Sequence, residues 1–568
     1  MKKVLFFLFL PFAGISQNTI GLPDVINYSK QSYAAGLQNW DIKQDKNGII
    51  YIANNEGLLS FDGRYWTLYP LPNRTNVRSV EVGSDNNIYV GGQDELGYFA
   101  PAENGRLIYH PLNEFIPAKD RSFGDVWDIV TYEKDVFFRT STKIFKFSNQ
   151  AVATYRAVSE WSYMGICNGR LIAHDFVNGL LQFENNVMTT IKTAGLILPN
   201  DAVTGILPAG KDSMLITTVK NGIFQLAGNT VSKLSSPNNG LFQNERIYSS
   251  IAINKEWLAL ATNNSGVYII DLKGNIIQSF SKAEGLQNNN VLSIFLDNQR
   301  NLWLGLDNGI DFIAYNSSIK HITPFGQDGS GYTAIVYNNR LYTGTSNGLY
   351  SVDLQQVNDL SFSKGNFQLV SNTKGQTWGM AQINNQLLLG HHEGAFVIQD
   401  NTAIPFSYDA GFWNFVPLSS TFPAQKIVSG TYKNLQFFNY NNGQFTSAGA
   451  VPGFVESSRF VTIDENDHIW ISHPYHGVYE VVQSPDGKYT VTTYTQQHGL
   501  PSILNNHVYK VKNEVVIATE KGVYVFDQKT KKFQPSAFYQ KIIGNQSVRY
   551  LKEDATGNIW FIHEKTLG

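Results

Sequence analysis

The sequence predicts an all-β chain of tandem β-propellers: two seven-bladed rings of four-stranded blades, the second incomplete at its C-terminal end. Three observations predict it. Hydrophobic runs of four or five residues, rich in Ile, Tyr and Phe, alternate with turns containing Asp, Asn and Gly, the pattern of short strands rather than helices. A turn glycine recurs roughly every 42 residues, the spacing of a propeller blade. Aromatics make up 13% of the chain, glycines number 48, and charged residues are only 16%, a composition that suits many packed turns and strands.

The clearest unit is IKQDKNGIIYIANNEGLLSFDG, residues 42–63. One strand ends at Asp45, a turn follows through Gly48, a second strand covers Ile49 to Ala53, and a second turn leads into Leu58 to Phe61. The aspartate is expected to accept from the amides of its own turn, and Gly48 and Gly57 to supply positive φ without a Cβ penalty. The second-turn glycine returns at Gly97, Gly179, Gly222, Gly266, Gly309, Gly348, Gly394, Gly477 and Gly522, with Lys143 and Asn434 in its place in two copies. Three copies keep the whole pattern: 296–312 with Asp297, Trp303 and Gly309; 463–481 with Asp467, Trp470 and Gly477; and 553–568 with Asp554, Gly557 and Trp560. One large ring per unit suits a wedge between neighbouring blades, so these residues are structural. A fourth, more polar run closes each unit, as in 64–70 or 318–326. A solenoid stack would show a shorter, more uniform period.

Thirteen copies can be counted, seven before residue 325 and six after it. The expected organisation is a signal segment at 1–16, a lead segment at 17–40, a first propeller at 41–325 and a second at 326–568. Lys2 and Lys3, the apolar run to Ala13, and the small residues Gly14 and Ser16 have the pattern of an export signal cleaved before Gln17. The last copy stops where its third strand should start, which would expose a sheet edge. The expectation is a fragment, or a ring completed by another segment, with 21–40 able to donate a strand.

Composition excludes several functions. A net charge of −2 without a Lys/Arg cluster gives no footprint for nucleic acid. After the signal, no apolar run is long enough to span a bilayer. The single cysteine, Cys167, cannot form a disulfide within the chain and reads as a buried thiol. The D-x-x-G-x-x-W turn also occurs in sialidases, but Arg74, Arg78, Arg246 and Arg459 are scattered among units and form no carboxylate-binding cluster. There is no G-x-S-x-G, Walker loop or H-E-x-x-H, so neither catalysis nor a cofactor is expected.

The opening GLPDVINYSKQSYAAGLQNWDIKQDKNGIIYIANNEGLLSFDGRYW (21–66) and the recurrent D-x-x-G-x-[IL]-[WY] resemble the two-component-regulator propeller proteins of Bacteroidetes-type bacteria, in particular the LuxR-type, triple-tyrosine-motif regulators. The resemblance implies the exported, periplasmic ligand-sensing region of a transmembrane regulator. In such proteins a small β-sandwich, a transmembrane helix and a histidine kinase or helix-turn-helix output follow, none of which lies within these residues.

Propellers bind ligands at the loops on one face and in the channel. The candidate ligand residues there are Arg74, Arg78, Trp127, Trp161, Arg246, Trp378, Arg459, His473 and His476. Aromatic faces stack on a sugar ring while arginine bonds hydroxyls or acidic groups, so a small carbohydrate-like ligand is the expected partner. His473-x-x-His476 and His391-His392-Glu393 invite a metal, but zinc wants a third ligand and the sequence identifies none, so no metal is expected. Membrane association would come only through a later segment, and a homodimer is left open. The rival readings are a secreted propeller enzyme acting on polysaccharide, a lyase or hydrolase, and a non-catalytic scaffold that binds protein.

Overall fold

The computed structural model describes residues 18–193, 201–324, 329–355, 359–409 and 411–568. The signal segment at 1–16 lies outside them.

A turn aspartate organises several of the blades locally. Asp45 Oδ1 accepts from the amides of Asn47 and Ile49, both at 2.9 Å. Asp297 does the same with Gln299 and Asn301, and Asp554 with Thr556 and Asn558. Its second oxygen accepts a hydrogen bond from the ring six residues on: from Trp303 Nε1 to Asp297 at 3.2 Å, and from Trp560 Nε1 to Asp554 at 2.9 Å. One carboxylate therefore closes the turn and fixes the wedge aromatic of the next strand. In the unit at 463–481 this role belongs to Asp464, which bonds Asn466 N, His468 N and Trp470 Nε1. Asp467, expected there from the sequence, instead holds the left-handed position at φ 62°, where Gly48 and Gly557 stand in their copies. The second turn needs glycine for space as well as conformation. Gly57 has φ 141°, and a Cβ on it would lie 2.5 Å from the Tyr69 carbonyl oxygen; on Gly477 it would lie 2.4 Å from that of Tyr494.

Thirteen sheets form among the described residues, twelve of them four-stranded, and every pairing between the named strands is antiparallel. They divide into two compact units. In the first, seven sheets begin with Asn39–Gln44, Val77–Val82, Asp128–Tyr132, Trp161–Cys167, Val203–Pro208, Ile247–Ala252 and Val291–Leu296. Each of these strands packs on the next, and the last packs on the first, so the ring closes and they line its channel.

The seventh sheet is completed from the N-terminus. Val25–Tyr28 pairs antiparallel with Ile310–Ile313, Val25 opposite Ile313 and Tyr28 opposite Ile310. The stretch read as a lead thus supplies the outer strand of the first ring rather than of the second. The run at 318–326, expected to be that fourth strand, forms only an isolated bridge from His321 to Leu22 among its described residues. Tying the two ends of the ring together covers a sheet edge, and Tyr28 then stacks on Trp303 at 5.9 Å with planes 6° apart. Residues 359–364 also belong to this unit: Ile20 and Gly21 donate backbone hydrogen bonds to Ser363 and Ser361.

The second unit holds six sheets, starting with Gly331–Tyr337, Thr377–Ile383, Phe412–Pro417, Phe460–Ile463, His507–Val511 and Val548–Glu553. The sixth has three strands, the last being Thr566–Leu567.

The wedge aromatics test the packing directly. Trp470 is 1% exposed against Tyr494, Phe526 and Phe533, whereas Trp560 in the sixth sheet is 47% exposed. Trp470→Ala is expected to destabilise the second unit by ~3–5 kcal/mol, and Trp560→Ala by less than ~1 kcal/mol. Guanidinium unfolding followed by far-UV circular dichroism measures both; equal losses would remove the wedge role from Trp470.

Candidate functional site

The strands that line the channels share an irregularity at their first turn of pleat. In six of the seven channel strands of the first unit, one extra residue interrupts the register with the neighbouring strand: Trp40, Arg78, Ser162, Thr204, Tyr248 and Leu292. In the remaining blade Trp127 stands just before Asp128, and its amide donates to Arg139 O at 2.8 Å. A bulge leaves one residue without a cross-strand partner and re-aims its side chain. All seven residues line a single cavity of about 830 Å³ in the first ring.

Part of the wall of this cavity is an aromatic clamp on a cation. The Arg78 guanidinium lies 3.9 Å from the Trp40 ring centre and 5.3 Å from that of Trp127, with the two indoles 6.4 Å apart and nearly perpendicular. Trp40 is fixed by Nε1 donating to Asn55 Oδ1 at 2.7 Å, and Asn55 in turn donates to Gln38. Arg78 Nε is 3.6 Å from Asp125, and the Asn76 amide, turned to present its oxygen, accepts from the same nitrogen at 3.1 Å. Arg78 Nη1 finds no partner among the described residues. Such a clamp holds a planar donor group rigid, which lowers the entropy lost when a ligand oxygen binds to it.

Elsewhere on the wall charges are paired. Lys43 bonds Glu81 at 2.9 Å. Arg139 pairs with Asp128 and donates through Nη1 to Trp161 O at 2.9 Å, and Asp128 also accepts from Met164 N at 2.8 Å. Asp41 sits half-buried on the wall, accepting from the amides of Ile42 and Val80. Burial pushes its carboxyl up to about 6, against the pull of Lys43. For Lys43 itself burial acts downward, but Glu81 and Asp41 outweigh it and hold the ammonium above its ordinary value. Tyr163 and Tyr248 are both raised, by burial first, so their hydroxyls stay protonated.

The candidates from the sequence separate into three groups. Arg78 and Trp127 meet in this cavity. Trp161 also touches it, but its ring is 3% exposed and packs among Phe137, Met164 and Leu171, so its share in the site is a backbone carbonyl. Arg74 and Arg246 do not line it: both are exposed on turns with left-handed backbone, at φ 54° and 59°. Trp378 and Arg459 lie in the second unit, beside Trp413 and Tyr432. Trp40, Asp41 and Tyr248 were not singled out from the sequence. For Trp40 a signal existed: in some blades the strand-head residue stands five positions before a turn aspartate, as Trp40 before Asp45, Leu292 before Asp297, Arg459 before Asp464 and Arg549 before Asp554.

The histidines read differently in three dimensions. The structure brings Glu456 to His473 and His476, so a third potential metal ligand exists where the sequence identified none. Glu456 Oε2 is 2.9 Å from His476 Nδ1 and 3.9 Å from His473 Nε2. Yet His473 Nδ1 accepts from Tyr475 N at 3.1 Å, which puts the proton of the neutral ring on Nε2, the nitrogen facing Glu456. A metal-bound histidine has the opposite arrangement, donating from its second nitrogen. His391 accepts likewise from Glu393 N, and Thr218, Thr262, Thr345 and Thr519 accept turn amides from the same place in their blades. Both histidines therefore cap turns. Cys167 is buried at 2% exposure, and burial pushes its thiol up to about 11, an unreactive state.

Comparisons with known proteins agree with this architecture. Residues 285–308, which run through the seventh channel strand to Trp303 and beyond, match the two component regulator propeller family. The extracellular domain of the putative hybrid two component system BT3049 from B. thetaiotaomicron is similar over 95% of this chain and 76% of that one, at 18% identity and a TM-score of 0.66, which shows a common fold. The extracellular domain of the putative one component system BT4673 from the same organism covers 96% of this chain and 77% of its own at 16% identity, with a TM-score of 0.43. A streptogramin B lyase matches 52% of this chain and 99% of its own at 16% identity, with a TM-score of 0.42. Neither of these last two superposes closely enough to argue from. No curated protein sequence matches the chain.

The raised carboxyl of Asp41 has a measurable consequence. A folded-state value of about 6 against an ordinary 3.8 means its contribution to stability is complete below about pH 4 and is lost as the pH rises through 6. Asp41→Asn removes that loss, so the variant should gain stability relative to the parent between about pH 4 and about pH 7. Urea midpoints at the two pH values test this; a constant difference between the proteins would place Asp41 in ordinary solvent.

Proposed function

We propose that this chain is the ligand-sensing region of an exported regulator, and that the channel of the first ring is where the ligand binds. The observation that carries the reading is the convergence of one strand-head residue from each of seven blades on a single cavity, six of them re-aimed by a register shift, with Arg78 clamped between Trp40 and Trp127 on its wall. A wall assembled from seven separate sequence positions is a costly arrangement for packing alone. Its volume falls within the range of small-molecule sites.

The chemistry favours a hydroxyl-rich, glycan-derived ligand. Indole faces suit the apolar face of a sugar ring, and a rigid guanidinium suits its hydroxyls or an acidic substituent. The paired ions elsewhere on the wall offer donors and acceptors without a large net charge. The likeness to extracellular domains of two-component systems supports the sensing role and a location outside the cytoplasm. Among the described residues no helix is long and apolar enough to cross a membrane. Ligand binding transmits a signal only to the extent that it favours one arrangement of the protein over another, about tenfold for each 1.4 kcal/mol of differential affinity.

Calorimetric titration with a panel of bacterial, plant and host oligosaccharides tests the proposal. At least one is expected to bind, with Trp40→Ala and Trp127→Ala each weakening it on the order of tenfold, and Arg74→Ala leaving it unchanged. Binding that survives both tryptophan substitutions would refute the site. Turnover of the sugar would favour the enzyme reading instead.

A further inference from the structure

The second unit repeats the device of the first with different side chains. Its channel strands carry the same one-residue register shift at Tyr332, Trp378, Trp413 and Arg549. Arg459 stands just before Phe460, five residues ahead of Asp464, as Arg549 stands five ahead of Asp554. Every counterpart in the first ring lines its channel, and these residues stand at the same place, the heads of the inner strands of the second unit.

They form a continuous arc. Tyr332 and Trp378 lie 4.7 Å apart, as do Trp378 and Trp413, and Trp413 lies 4.9 Å from Tyr432. The Arg459 guanidinium follows at 5.2 Å from the Trp413 ring. Trp378 Nε1 donates to Tyr432 Oη at 2.7 Å, which locks the wall and leaves the tyrosine proton free to donate outward. Arg549 continues the arc beyond His507. The arginines that pair with carboxylates among the described residues are 78, 139, 156 and 340; Arg459 and Arg549 have no such partner. Burial first, and then the charges of these two arginines, holds His507 down to about 4, so it is neutral and the arc's charge is that of the guanidiniums alone.

We infer that this arc of the second unit is a binding site for an acidic saccharide, a pyranose bearing a carboxylate, with Trp378 and Trp413 stacking on the sugar and Arg459 and Arg549 holding the anion. A neutral sugar would leave two unpaired cations beside the aromatic wall, and a small inorganic anion would leave the wall bare. This site is separate from the cavity of the first ring and does not depend on a ligand binding there.

The test is titration of the full chain with tetragalacturonate and with a neutral galactose oligomer of the same length. The uronate should bind at least tenfold more tightly and weaken as salt is raised. Arg459→Gln and Arg549→Gln, both at exposed positions in different blades, should each lose about tenfold or more, with circular dichroism checking the fold. Trp413→Ala should weaken binding, whereas Trp40→Ala in the first ring should not. Failure of the uronate to bind, equal affinity for the neutral oligomer, or full affinity in both arginine variants would each overturn the inference. Loss with Trp40→Ala alone would move the uronate to the first ring.

Discussion

Most of what is proposed for this molecule depends on one extra residue at the head of the channel strand, as at Trp40, Arg78, Trp378, Trp413 and Arg549. A regular strand sends alternate side chains to its two faces, and in a propeller both faces of a blade are covered by neighbouring blades. Side chains at the head of a regular channel strand would then serve packing. The inserted residue escapes that rule because it has no partner across the ladder. The fold can therefore keep Ile42, Val80 and Ile294 in the core while Trp40, Arg78 and Leu292 face the channel.

The device works because the rest of each blade is rigid. The turn aspartate ties two amides and an aromatic ring to one carboxylate, and a side chain at the end of the second strand caps the next turn. Closure of the first ring by Val25–Tyr28 removes the free edge that would otherwise let its seventh blade drift. Preorganisation of this kind is what allows a site made of single residues from many blades to hold a defined geometry. Where a blade's wedge is exposed, as at Trp560, less of that support is present.

Much of the fold was legible because it rests on local chemistry that repeats. Asp, Gly and an aromatic at fixed spacing announce a blade wherever they recur, and the division into strands follows. The closing strand was harder to place, since VINY at 25–28 differs little from any other short strand and its partner lies some 285 residues away in sequence. The role of Asp464 was given to Asp467 because both stand close before Trp470, and only the hydrogen bonds tell the cap from the left-handed residue. In the site, Arg78, Trp127, Trp378 and Arg459 stood out as unusual side chains near strand heads, but so did Arg74 and Arg246, which serve turns. A register shift leaves no mark in composition; only where a turn aspartate follows, as Asp45, Asp297 and Asp554 do, does a five-residue offset trace it. Glu456 was invisible beside His473 because folding, not sequence spacing, brings them together.

The most direct test of the account is fluorine NMR of the chain labelled with 5-fluorotryptophan, its resonances assigned by single substitutions and followed as a bound oligosaccharide is added. The account predicts that Trp40 and Trp127 shift, since they face the channel of the first ring, while the wedge residues Trp303 and Trp470 stay where they are. Shifts confined to the wedge positions, or a neutral oligosaccharide that binds and moves neither Trp40 nor Trp127, would contradict it.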